Sequence, residues 1–274
     1  MSMRPATVAG WDCHAHLFGP YDRFPLAPER SYTPPEAVAP QYLALLARLG
    51  LCNGVLVHPS AYGEDHSLLL HALAAHADLR GVVVVQPGSR LALAGLHGQG
   101  VRGARFSHRS GAGTNFAGSA SFDDLRALAP ALADAGLHAE LWTDCQALPG
   151  IAAELKALPV PVVIDHMGGF DAPAGVDAPG FRVLLDLLGS GRVWVKLCAY
   201  RNLLNVPDWQ AGRAFQQKMI EANPQRLVWG SDWPHLRVAP SPDAASLLAM
   251  FKDWAGSDEV AQRVLVANPE MLYR

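Results

Sequence analysis

At 274 residues and 50% hydrophobic, the chain can bury one large core, and a formal net charge of -3 gives it no basic field to draw nucleic acid or an anionic membrane. Its four cysteines lack CxxC spacing and sit in apolar surroundings, which excludes a disulfide framework and reads as reduced thiols of a cytoplasmic protein. No apolar run approaches a membrane-spanning length, and the first residues hold no apolar signal core.

In chain order, short β-branched runs alternate with longer Ala/Leu-rich segments of helical period. The pattern predicts a strand over 7–14, then a Pro-rich loop over 20–36 and a helix over 35–49. Strand 53–59 precedes helix 65–77, and strand 81–87 leads by a short crossover to strand 100–107. After helix 121–135 come strand 137–144 and helix 146–157, then strand 160–168 and helix 180–189. Strand 192–200, helix 207–222, strand 226–232 and helix 242–255 complete the series. Nearly continuous apolar runs mean strands buried on both faces, as parallel strands under helices are. Eight such units without a linker predict a single α/β domain over 1–274, a (β/α)8 TIM barrel.

That fold places chemistry at the C-terminal ends of the strands, and polar residues gather there. Strand one ends in His14 and His16, strand two in His58 and Ser60, strand four in Arg105 and strand five in Trp142 and Asp144. Strand six ends in Asp165 and His166, seven in Tyr200 and Arg201, and eight in Ser231 and Asp232. Strand alternation puts Asp12, His14 and His16 on one face. Alone, an HxH pair is as well explained by hydrogen bonding at the rim. Four groups far apart in sequence that converge when the barrel closes, His14, His16, His166 and Asp232, are better explained by a site. Arg105 and Arg201 suit bidentate pairing with carboxylates, so the expected partner is a small acidic substrate. His235 either lines the pocket or follows a turn. Lys196, in an otherwise apolar strand, is expected to pair with a buried acid, Asp12 or Asp165.

The motifs "DCHAH", "SYTPPEA", "LVHPSAYGED", "GVRGARF", "IDHMGG", "VKLCAYR" and "VWGSDWPH" resemble, in order, the amidohydrolase superfamily. The likeness is closest to its branch of 2-pyrone-4,6-dicarboxylate lactonase and related lactone hydrolases. It implies a distorted TIM barrel, with His14, His16, His166 and Asp232 on the family's core motif. It also puts Tyr32 and Ser60, with both arginines, at carboxylate-binding positions, and Trp142 where a tyrosine contact is expected. The segment 107–121 departs from the pattern, with Arg109 or His108 as the basic substitute. The fourth strand lacks the lysine or carboxylate that bridges two metals in other branches. The resemblance therefore implies no cofactor, or at most a single zinc on the four core residues. The expected reaction is lactone hydrolysis with Asp232 as general base and the three imidazoles polarising the carbonyl. A sugar-acid lactonase, a zinc-dependent decarboxylase and a ligand-binding barrel without activity are the other readings, and a homo-oligomer stays open.

Overall fold

The computed structural model describes residues 10–111 and 116–274. Eight strands form it: β1 (Trp11–Ala15), β2 (Asn53–Val57), β3 (Leu79–Val83), β4 (Val101–His108), β5 (His138–Thr143), β6 (Val162–Ile164), β7 (Val193–Leu197) and β8 (Leu227–Trp229). All pair in parallel with their sequence neighbours, in the order β1 to β8. Seven helices cover them: α1 (Ala39–Leu49), α2 (Ser67–Ala75), α3 (Phe122–Asp134), α4 (Leu148–Ala157), α5 (Pro179–Gly189), α6 (Arg213–Ala222) and α7 (Ala244–Ala255). This is the (β/α)8 barrel in one domain, and the short third crossover holds only the 3-10 turn His97–Gln99. Among the described residues no helix is long and apolar enough to cross a membrane.

Helices α3 and α7 start at side chains that satisfy their free amide groups, Ser121 and Asp243. Ser121 accepts from the Asp124 amide and the Asp124 carboxylate accepts from the Ser121 amide, a capping box legible in "SFDD". Most strands are shorter than expected, and β6 and β8 are cut to 3 residues each. β6 stops at Ile164 because His166, Met167, Gly168 and Gly169 all take positive φ. β8 stops at Trp229 because the chain turns to close the barrel. A side chain at Gly230 would place its Cβ 2.6 Å from that of His14, so only glycine allows this approach. The first predicted strand's opening residues, 7–9, lie outside the described residues.

No ladder joins β8 to β1 among the described residues; the loop after β8 closes the seam. The Asp232 amide donates to His14 O at 2.8 Å and the His16 amide to Trp233 O at 2.8 Å. Asp12 accepts from the Ser231 amide at 2.7 Å and the Ser231 hydroxyl at 2.6 Å. The register of β1 shifts between Asp12 and Ala15, and that irregularity overturns the expectation that Asp12 shares a face with His14. Asp12 takes a hydrogen bond from Tyr42 of α1, whereas His14 meets Lys196 inside the barrel.

Two apolar clusters result. The larger lies between helices and sheet, and the smaller fills the barrel with Trp11, Cys13, Val55, Val163, Trp194 and Tyr273. Tyr273 belongs to a C-terminal unit that periodicity missed: α8 (Asp258–Gln262), a π-turn over Arg263–Ala267 and α9 (Asn268–Tyr273). Trp11 Nε1 donates to Glu270, and Arg80 and Arg102 donate to Tyr273 O, pinning this unit under the barrel.

Candidate active site

A cavity of about 380 Å³ opens at the C-terminal ends of the strands. Eight of the ten sequence-predicted site residues line it: His16, Tyr32, Ser60, Arg105, Trp142, His166, Arg201 and Asp232. His14 and His235 do not. His14 lies wholly buried under the floor, with Nε2 3.7 Å from Asp232 Oδ1. His235 follows a turn: its amide donates to Asp232 O at 2.9 Å, and its ring packs on Tyr200.

Asp232 is the centre. Its backbone φ is +59°, and the closing loop brings its carboxylate to the middle of the floor. Oδ1 faces His14 and His16, with His16 Nε2 at 3.5 Å, while Oδ2 faces His166 Nε2 at 3.6 Å. Oδ2 also accepts from the Tyr200 hydroxyl at 2.7 Å and from Arg201 Nε. Burial alone would raise its pKa, but the Arg201 guanidinium, aided by His166, holds the carboxyl well below the usual carboxylate range. Asp232 is therefore an anion at working pH.

The imidazoles differ in what they can offer. Val57 O is only an acceptor, so His16 donates Nδ1–H to it at 2.8 Å. With Nδ1–H so engaged, the neutral form of His16 turns its Nε2 lone pair toward Asp232 at 3.5 Å. His166 has φ +49°, its carbonyl held by Asn202 at 2.9 Å, and among the described residues neither ring nitrogen makes a hydrogen bond, Nε2 lying 3.6 Å from Asp232 Oδ2. Burial lowers its pKa, leaving a neutral ring with an N–H to give. Burial and then the Lys196 charge lower His14 to about 3.

Both arginines are docked by one nitrogen on a buried aspartate. Arg105 Nε donates to Asp165 Oδ2 at 2.8 Å as Arg201 Nε does to Asp232. Arg201 Nη1 reaches Leu236 O at 3.3 Å, and among the described residues the other terminal nitrogens of both arginines make no hydrogen bond and border the cavity. Arg105 stands 5.5 Å over the Trp142 ring, and Arg109 packs on the same ring at 4.7 Å beside Asp144, outside the lining. Residues 112–115 of the divergent segment lie outside the described residues. Arg237 and His58 also line the cavity. Arg237 stacks on Tyr32 at 4.7 Å and donates to Ser31 O, joining the Pro-rich loop to the loop after β8. His58 was visible as a strand-end residue, but nothing in the sequence singled out Arg237.

Beneath the floor, Lys196 Nζ meets Glu140 Oε2 at 2.6 Å, His14 Nδ1 at 3.3 Å and Asp165 Oδ1 at 3.4 Å. Its partners are thus Asp165, as expected, and Glu140, not Asp12. Glu140 was legible as the lone acid of an apolar strand facing the lone base of another.

Three groups of side chains bring ligand atoms close enough to share a metal ion. In His14/Glu140/Asp165 the Lys196 ammonium already fills the space. In His166/Cys198/Asp232 burial pushes the thiol well up, so it stays protonated and a poor ligand. His14, His16 and Asp232 fit one ion by position, and His16 by its free lone pair.

Eight parallel strands, a histidine pair on the first and an aspartate after the eighth accompany a match of residues 11–274 to the family model described as Amidohydrolase. The chain belongs to the amidohydrolase family. It is 34% identical over 275 residues to a 2-pyrone-4,6-dicarboxylate hydrolase of Comamonas testosteroni, spanning 96% of this chain and 89% of that one. It is 33% identical over 269 residues to a 4-sulfomuconolactone hydrolase of Hydrogenophaga intermedia, spanning 96% and 88%. A Pseudomonas putida crystal structure, provisionally described as a 2-pyrone-4,6-dicarboxylic acid hydrolase, superposes with TM-score 0.80 at 31% identity and covers 97% of each chain. This member of the amidohydrolase family thus carries its relatives' fold over its whole described length.

Proposed function

We propose that this enzyme hydrolyses a small lactone bearing two acidic groups, with Asp232 as the base and without need of a resident metal. Lactone hydrolysis is the activity named for the two relatives above, both at least 33% identical, and the chain is a lactone hydrolase. Both relatives' names describe lactones with acidic substituents, a sulfonate in one and two carboxylates in the other. The observation that carries the substrate reading is the pair of docked arginines. Each is held by Nε and offers terminal donors to the cavity, from strands that are not neighbours. Such a pair takes two separated anions, or one anion and a polarised carbonyl oxygen.

The reaction follows from the donors and acceptors present. A water between Asp232 Oδ1 and His16 Nε2 gives a hydrogen to each, which aims its lone pair at the lactone carbonyl carbon. As its oxygen attacks, Asp232 takes the proton, and the charge growing on the carbonyl oxygen meets His166 N–H and a guanidinium. The ring C–O bond breaks, Asp232 returns the proton to the leaving oxygen, and the carboxylate is regenerated. A depressed pKa makes Asp232 a weak base, so the oxyanion donors must carry much of the barrier reduction. A single ion on His14, His16 and Asp232 would supply Lewis acidity and an acidified water. The Arg201 guanidinium on the same carboxylate competes with such a cation.

Acid release from a dicarboxylated pyrone, its methyl esters and a neutral lactone tests the reading. The diacid should be preferred, with full turnover after exhaustive chelation. Preference for the neutral lactone would overturn the substrate class. Activity lost on chelation and restored by zinc would overturn the metal-free chemistry alone.

A further inference from the structure

We propose that Lys196 is a positioning residue that fixes the proton of His14 on Nε2, so that His14 turns an N–H, rather than a lone pair, toward Asp232. The inference rests on the reading of Asp232 as the base, but its central measurement does not involve substrate. The geometry is specific. An ammonium has three donors and no acceptor, so any hydrogen bond between Lys196 and His14 must run from Nζ to a bare Nδ1. Nζ lies 3.3 Å from Nδ1 in hydrogen-bonding geometry. Asp165 Oδ1 is the competing acceptor at 3.4 Å from Nδ1, and the Lys196 ammonium stands 3.4 Å from the same oxygen. His14 is wholly buried, so the neighbours fix its tautomer.

Lys196 is held as a cation against its burial by Glu140 and Asp165, with Glu140 the closer. A cation on one side and an anionic Asp232 on the other polarise the neutral ring in one direction. His14 Nε2 has no other partner and stands 3.7 Å from Asp232 Oδ1. An N–H there steadies the carboxylate that must accept the water's proton. The opposite tautomer would aim a lone pair at the anion and complete a ligand set with His16. Lys196 thus bears on two properties together: the disposition of the base, and the low appetite of the His14/His16/Asp232 set for a cation. His16 serves as a built-in reference, because Val57 O fixes the opposite tautomer there.

Long-range proton–nitrogen correlation spectra of protein labelled with ¹⁵N at histidine read the tautomers directly. His14 is assigned by the signal lost in His14→Gln. The expected spectrum shows His14 with a bare Nδ1 and a protonated Nε2, and His16 with the reverse. The double variant Lys196→Met with Glu140→Gln removes both charges at once, so neither is left unpaired. In it the His14 proton should move to Nδ1, and bound zinc, after incubation with zinc chloride, should rise from well under one to about one per chain. Turnover should drop about 10-fold, the worth of one hydrogen bond, with KM little changed. A protonated Nδ1 in the wild type overturns the proposal whether or not the variant folds. So does a folded variant whose tautomer and zinc content match the wild type. Should Asp232 prove dispensable, the catalytic reading falls while the tautomer result stands.

Discussion

Two charged regions meet at His14, and they are built on opposite principles. Inside the barrel, Lys196 and Glu140 close on each other at 2.6 Å with both side chains wholly buried. Tyr273 and His138 take up Glu140's other oxygen. At the mouth, Asp232 is equally buried, yet the groups around it are held by one atom and left open at another. Both arginines keep terminal donors, His16 keeps a lone pair, and His166 keeps both nitrogens. Saturated charges preserve their own form and geometry, whereas half-satisfied ones wait for a ligand. Buried unpaired polar atoms are costly, so the two free ring nitrogens of His166 in the cavity wall mark where substrate completes the structure.

The sharpest way to break this contrast is to neutralise one acid from each region. Asp232→Asn should lower kcat by roughly 10²–10⁴, with a smaller stability loss than at the interior pair because the Arg201 left behind is 28% exposed and can turn to water. Unchanged turnover on the preferred lactone would remove Asp232 from the base role. Glu140→Gln should do the reverse, costing about 3–5 kcal/mol in urea unfolding because it leaves Lys196 short of its closest counter-charge. A loss below 1 kcal/mol would mean that the interior pair is not the structural element argued here.

The smaller effects separate the two arginines, each contact being worth about 10- to 150-fold. Arg105→Met should raise KM for a diacidic lactone and spare a neutral one. Arg201→Met should do that and more, since Arg201 is the main charge holding Asp232 below the usual carboxylate range. Without it the Asp232 pKa rises. Because activity needs the ionised form, the acid limb of the kcat profile should move to higher pH. In Arg105→Met that limb should stay in place. Equal profiles for both variants would show that Arg201 does not govern Asp232.

The contrast also explains what could be read in advance. The barrel, its eight units and the short third crossover follow from periodicity, because buried parallel strands and amphipathic helices write their period into the chain. The gathering of His16, His166, Asp232 and two arginines followed from placing polar residues at strand ends. Three matters needed three dimensions. A register irregularity in β1 turns Asp12 and His14 to different sides, and strict alternation cannot foresee it. The tautomer of His16 depends on a carbonyl 41 residues away. The C-terminal unit was missed because its helices are short, 5 and 6 residues beside a π-turn, so no period had room to build.

That C-terminal unit bears on how such an enzyme can change over generations. In these barrels one end is ordinarily reserved for chemistry and the other for holding together. Here the phenol of Tyr273, at the sealed end, touches Glu140 at 3.2 Å, and Glu140 touches the lysine that borders His14. A lineage adapting to a new lactone therefore has two separate places to alter. The loops of the mouth line what is admitted, and a tyrosine beneath the floor borders the glutamate–lysine pair behind His14. Exchange at the second place leaves every wall of the pocket as it was.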